Sequence, residues 1–144
     1  MKLLIDTNVV MDILLKREPF FTDSYQAVCK AIQEKHICYL STSAVTDIFY
    51  ILRKALGSKE EARKILYRLT ELFVFADVLS NDVLTALSSE LVDFEDAIVE
   101  TIAVRSKMNY ILTRNTKDFA LSKVKAITPR EYLKKMIIPA KVGF

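Results

Sequence analysis

Leu3, Leu4 and Ile5 form an apolar run that stops at Asp6. A short apolar stretch without polar alternation describes a strand covered on both faces, the kind found inside a parallel sheet. In such sheets ligands gather beyond the carboxyl ends of the strands, so a carboxylate at that edge is placed for chemistry as much as for opening the next turn.

The remaining pattern agrees with a parallel α/β arrangement. Asn8 can cap a short helix over Val9, Val10, Ile13 and Leu14, closed by Lys16-Arg17-Glu18-Pro19. A second helix is expected over residues 23–33 and a strand over 36–40. Ser41-Thr42-Ser43 offers caps for a helix whose stripe is Ala44, Val45, Ile48, Phe49, Leu52 and Leu56, ended by Gly57. Ser58-Lys59-Glu60-Glu61 has capping-box spacing and opens another helix. A strand over 73–79 follows, then a short helix capped by Ser80 or Asn81 and ending near Leu91. Asp93 caps a helix over 94–107 that is apolar nearly all round and should pack deep against the sheet. Strands over 110–112 and 124–127 and a terminal helix from Pro129 through Met136 complete the chain. Strands alternating with helices imply a parallel sheet covered on both sides. The 144 residues, 51% of them hydrophobic, suit a single domain over 1–144 with one sizeable core.

Composition removes several chemistries. With only Gly57 and Gly143, neither a Walker loop nor a GxGxxG turn can form, because both need glycines where backbone approaches phosphate. His36 is the one histidine and heads an apolar strand, which argues against Ser-His-Asp and Cys-His devices and against histidine-rich zinc sites. Cys29 and Cys38 lack ligand spacing and read as small buried residues of a reducing compartment. No signal-peptide pattern and no apolar run of membrane length is present, so a cytoplasmic protein is expected. The formal net charge of +3 permits an anionic partner without requiring one.

What the chain does carry is carboxylates at strand ends and helix starts. Asp47 lies in an apolar helical segment with Tyr50 and Ile51 at i+3 and i+4, so no basic residue partners it there. Asp96 stands in a first helical turn behind Asp93, a position the helix dipole favours, yet Glu100 follows one turn on. Two like charges beside a buried helix call for something positive nearby, and a divalent cation would serve. Mg²⁺ and Mn²⁺ take oxygen ligands and tolerate several waters, so carboxylates from separate segments can hold them.

Four blocks then carry a resemblance: Leu4-Ile5-Asp6-Thr7-Asn8, Ser43-Ala44-Val45-Thr46-Asp47, Asp93-Phe94-Glu95-Asp96-Ala97, and Ile111 through Phe119. In order and approximate spacing they resemble the PIN-domain ribonucleases, of the kind represented by VapC-like toxins. The resemblance implies a three-layer α/β/α fold with a five-stranded parallel sheet. It also implies an acidic pocket binding Mg²⁺ or Mn²⁺ for hydrolysis of RNA phosphodiester bonds, with 5′-phosphate and 3′-hydroxyl products. By position, Asp6 and Asp96 are the expected metal ligands, and Asp47 stands where many members have Glu. Asn115 stands where many have a fourth Asp, with Asp118 the alternative donor nearby. Thr113 matches the family's hydroxyl residue at that strand end. Arg114 and Lys117 flank the site as candidate phosphate contacts, and Arg17 is a weaker one. Phe20, Phe21, Phe49, Tyr50 and Phe94 are possible base-stacking residues whose spacing also fits core packing.

A small antitoxin protein is implied by the same resemblance. A homodimer is expected from the apolar surplus on residues 44–73, which includes Phe49, Ile51, Leu52, Tyr67 and Leu72. Two alternatives frame the reading. Phosphoaspartate chemistry of the haloacid-dehalogenase kind wants a second Asp two residues after Asp6, where Asn8 stands, and the receiver-domain pattern wants an acidic pair before a phosphoacceptor Asp on a later strand, where the run Phe73 to Leu79 offers only Asp77. A PIN-like scaffold that binds RNA or a partner without cleaving it is the non-enzymatic alternative.

Overall fold

The structure, a computed structural model, describes residues 1–137. Five strands form one sheet: β1 (Lys2–Ile5), β2 (Ile37–Ser41), β3 (Val74–Ala76), β4 (Tyr110–Leu112) and β5 (Ala126–Ile127). Their order is β3-β2-β1-β4-β5 and every pairing is parallel. The chain builds outward from β1 to β3 and then returns to add β4 on the other side of β1. That reversal puts a topological switch point between β1 and β4, where the crevice at the strand ends opens.

Side chains of β1 alternate between faces. Leu3 and Ile5 join a core with α1 (Thr7–Leu14), α2 (Phe21–Gln33), α3 (Thr42–Leu56), α4 (Lys59–Leu72) and α7 (Pro129–Ile137). Leu4 faces a second core with α5 (Ser80–Leu87) and α6 (Phe94–Arg105). The result is the three-layer α/β/α architecture with a five-stranded parallel sheet. Ile48 and Leu52, on the inward stripe of α3, are fully buried, each contributing about 1.5–3 kcal/mol of apolar burial.

Local signals account for the frame of α3. The Ser41 hydroxyl accepts the Ser43 N–H at 3.2 Å, and Gly57 ends the helix at φ 65°, a left-handed conformation that side chains resist. Helix α4 starts where Ser58 Oγ accepts the Glu61 N–H at 3.2 Å, one half of the expected box.

Several boundaries differ from expectation for physical reasons. Strand β3 is three residues long rather than seven: it is a sheet edge paired with β2 alone, and Phe73 belongs to the end of α4. Beyond Ala76 the chain leaves the sheet, with the Val78 N–H donated to Thr42 Oγ1 and the Leu79 N–H to Asp82 Oδ2. That carboxylate, rather than Ser80 or Asn81, starts α5. Helix α5 ends at Leu87, and a 3₁₀ turn over Thr116–Phe119 replaces what reads as loop. Among the described residues no helix is long and apolar enough to cross a membrane.

Candidate active site

Asp6 stands at the end of β1 and caps α1. Its Oδ1 accepts the Thr7 N–H at 2.8 Å, and its Oδ2 accepts the Thr113 hydroxyl at 2.8 Å and the Asn8 side-chain amide at 3.2 Å. The cap expected of Asn8 therefore belongs to Asp6. Asn8 instead joins the two central strand ends: its Nδ2 also approaches Thr113 Oγ1 at 3.3 Å and its Oδ1 accepts the Arg114 N–H at 3.2 Å.

Asp6, Asp47 and Asp96 line one pocket of about 350 Å³, floored in part by Ser43 and Ala44. Asp47 reaches it from the second turn of α3 and Asp96 from the first turn of α6. Glu95 lines the same pocket, close to Asp47. The neighbouring Asp47 carboxyl, burial and the charges of Asp93 and Asp6 raise the Glu95 pKa. Burial raises Asp6 as well; the hydrogen bonds from Thr113 and Thr7 oppose it, and Asp118 and Asp93 add to it. Asp96 is pushed up to about 7, first by burial and then by the charges of Asp6, Asp93, Asp118 and Glu95. The pocket thus concentrates oxygen donors and negative charge, a donor set suited to a hard divalent cation. Among the described residues no three His, Cys, Asp or Glu side chains stand close enough to form a finished ligand set.

The two candidates for a further donor part company. Asn115 is exposed, precedes the 3₁₀ turn and lines a different pocket, with its backbone N–H donated to Thr113 Oγ1 at 3.1 Å. Asp118 lies with Asp96, Asp93 and Lys117 along an adjoining pocket of about 420 Å³, and its charge acts on both Asp6 and Asp96. Lys117 is exposed beside them.

Arg114 does not extend freely toward the carboxylates. Its Nε lies 2.6 Å from Oδ2 of Asp12, at an angle outside hydrogen-bond limits, while its Nη2 donates to Oδ1 at 3.3 Å. Its guanidinium also sits 4.0 Å over the Phe20 ring. Asp12 is fully buried, and burial raises its pKa against the lowering charges of Arg114 and Arg17.

Glu100 resolves its conflict with Asp96 by hydrogen bonds. It accepts the Ser89 hydroxyl at 2.9 Å and the Lys123 N–H at 2.8 Å, tying two loops to α6. His36 pairs with Tyr132 Oη at 2.9 Å, on the opposite layer from α6. Cys29 and Cys38 are free thiols, and burial pushes that of Cys38 up to about 11. Glu95 and Asp12 were the residues sequence reasoning missed. The cluster Asp93-Phe94-Glu95-Asp96 signalled the first, and an Asp among Val9, Val10, Met11 and Ile13 signalled the second.

Acidic side chains at the switch point of a five-stranded parallel sheet, with no histidine among them, define a class of α/β proteins whose site is built from oxygen donors alone. A family model for the PIN domain matches residues 2–117. The chain belongs to the PIN-domain family. Solved structures share the fold. VapBC2 from Rickettsia felis, bound to a DNA fragment from its promoter, has 16% identity and a TM-score of 0.67, covering 89% of this chain and 98% of that one. A toxin-antitoxin complex from Klebsiella pneumoniae has 24% identity and a TM-score of 0.63, covering 88% and 96%. Mycobacterium tuberculosis VapC20, described as a sarcin-ricin loop cleaving toxin, has 11% identity and a TM-score of 0.59, covering 76% and 86%. No curated protein matches the chain in sequence.

Proposed function

We propose that this chain is a metal-dependent endoribonuclease, the toxin of a toxin-antitoxin pair. The observation that carries the reading is the pocket into which α3, α6 and the end of β1 bring Asp47, Asp96 and Asp6. Their surplus of negative charge, with Asp96 raised to about 7, suits Mg²⁺ or Mn²⁺. Asp6, Asp96 and Asp47 would hold the ion, with Asp118 better placed than Asn115 to add charge. When bound, such an ion acidifies a water and offsets charge on a phosphoryl oxygen. The chain's own groups orient the site: Thr113 and Thr7 fix the Asp6 carboxylate, and Glu95, its pKa raised beside Asp47, adds a further acid to the pocket. Lys117 offers a cation for a neighbouring phosphate, and Thr113 contributes by positioning Asp6.

The structural neighbours include toxin-antitoxin complexes, which supports a small protein partner for this chain. Exposed Tyr50, Tyr67, Leu72 and Val74 on α3, α4 and β3 support a homodimer as well. A second reading, an RNA- or partner-binding scaffold without cleavage, draws on the placement of Asn115 outside the acidic pocket.

The test is incubation of wild type and Asp6→Asn with structured RNAs in Mg²⁺ or Mn²⁺. Cleavage by wild type that EDTA and Asp6→Asn both abolish is the expected result. RNA binding with no metal-dependent cleavage would establish the scaffold instead.

A further inference from the structure

Two residues beyond Thr113, Asn115 enters the wall of a separate pocket of about 410 Å³, shared with Pro19, Phe20, Ser24, Arg114 and Arg130. One of its polar groups has no answer within the protein. Ser24 is 1% exposed, yet its Oγ has no hydrogen-bond partner. Buried hydroxyls are nearly always paired, and the Ser24 Oγ, itself almost without exposed surface, becomes a partner for a ligand once the pocket wall gives slightly.

The surroundings narrow the ligand. Phe20 is 39% exposed and carries the Arg114 guanidinium 4.0 Å over its ring, a flat layered surface of the kind on which bases stack. Both cations are matched by their own carboxylates, Arg114 by Asp12 at 2.6 Å and Arg130 by Asp23 at 3.0 Å. Without surplus positive charge the pocket is a poor trap for a free phosphate. A flat, neutral molecule with hydrogen-bonding edges suits it: Pro19 and Phe20 supply apolar contact, while Ser24 and Asn115 supply donors and acceptors. The pocket is tied to the acidic site through Asn8, which donates to Asp6 Oδ2 and accepts from the Arg114 N–H.

We propose that this pocket receives a nucleobase of the RNA strand next to the phosphodiester presented to Asp6, with Ser24 Oγ reading an edge of the base and the Phe20–Arg114 layer supporting its face. Identifying the base as part of RNA rests on the ribonuclease reading above; the pocket's affinity for a base does not.

The test uses the full chain in EDTA and titrates AMP, GMP, CMP and UMP singly, with inorganic phosphate as comparison, while following backbone amide shifts. At least one nucleotide is expected to shift the amides of Phe20, Ser24 and Asn115 saturably, and phosphate is not. Ser24→Ala should weaken that nucleotide roughly three- to tenfold, the loss of one hydrogen bond. Its melting temperature should hold or rise, because the variant removes a polar atom that the fold leaves unpaired. Phe20→Ala should weaken binding by at least about fivefold. Absence of saturable shifts with all four nucleotides, equal shifts from phosphate, or unchanged affinity in Ser24→Ala overturns the assignment. Because cleavage is not read, such a failure leaves the ribonuclease proposal standing. Nucleotide binding here in a protein that cuts no RNA removes the catalytic reading and retains the pocket.

Discussion

Removing the Arg114 guanidinium should destabilise the protein in a manner that depends on pH. Asp12 is fully buried and Arg114 is 26% exposed. Deleting one partner of a buried ion pair costs about 3–5 kcal/mol because the other charge is left uncompensated. Since Arg114 keeps part of its side chain in water, about 2–4 kcal/mol is expected for Arg114→Ala near pH 8, or roughly 6–16 °C in melting temperature for a domain of this size. The Asp12 pKa is already raised by burial despite Arg114 and Arg17, and losing Arg114 raises it further. A carboxylate with a raised folded-state pKa holds its proton more tightly when folded, so stability falls as pH rises through that pKa. The penalty of the variant is therefore largest where Asp12 is ionised and shrinks as pH falls toward the ordinary carboxylate range. Thermal melts of wild type and Arg114→Ala at pH 5, 6.5 and 8 measure this directly. A difference that stays constant across the three pH values would refute the claim that an uncompensated Asp12 charge is responsible.

Further outcomes concern the pocket and the surface. Asp96→Asn should stabilise the metal-free protein above about pH 7, where the wild-type carboxyl is ionised among Asp6, Asp93 and Asp118, and give little gain near pH 4; melts across that range decide it. If Asp118 supplies the additional charge, calorimetry should show Asp118→Asn weakening Mn²⁺ by about tenfold while Asn115→Asp changes it little; the reverse ranking would mean that the Asn115 segment rearranges toward the carboxylates. Light scattering at high micromolar concentration should show a dimer for wild type and a monomer for Tyr67→Lys combined with Leu72→Lys, both on exposed apolar positions; a wild-type monomer would reject the homodimer.

The readability of this chain depended on how local each signal was. The run Leu3–Ile5 ending at Asp6 is a local pattern, and the central strand and its terminal carboxylate lie where it indicated. Asp47 could be singled out because an acidic residue without a helical basic neighbour needs another explanation, and α3 turns it to the same pocket as Asp6 and Asp96. Glu95 escaped because acids in a first helical turn are already accounted for by the dipole. Its contact with Asp47 depends on how α3 and α6 approach, which no short stretch encodes. Arg114 read as a free cation because its partner Asp12 lies 102 residues away. Strand β3 was overestimated because Val78 and Leu79 have strand-like side chains, whereas their N–H groups serve Thr42 and Asp82. The separation of Asn115 from Asp118 follows from a 3₁₀ turn that hydrophobic periodicity does not announce.

The bonds around Asp6 set a limit on how it can act as a ligand. A carboxylate offers about four lone-pair positions, two on each oxygen. Oδ2 receives both the Thr113 hydroxyl and the Asn8 amide, and Oδ1 receives the Thr7 N–H. One position is left, on Oδ1. While these three donors hold, Asp6 is a single-point donor rather than a two-oxygen clamp. If a divalent ion is held here as proposed, its remaining ligands would come from Asp47, Asp96 and water, and Thr7, Asn8 and Thr113 would then set the number of exchangeable waters as much as the carboxylates do.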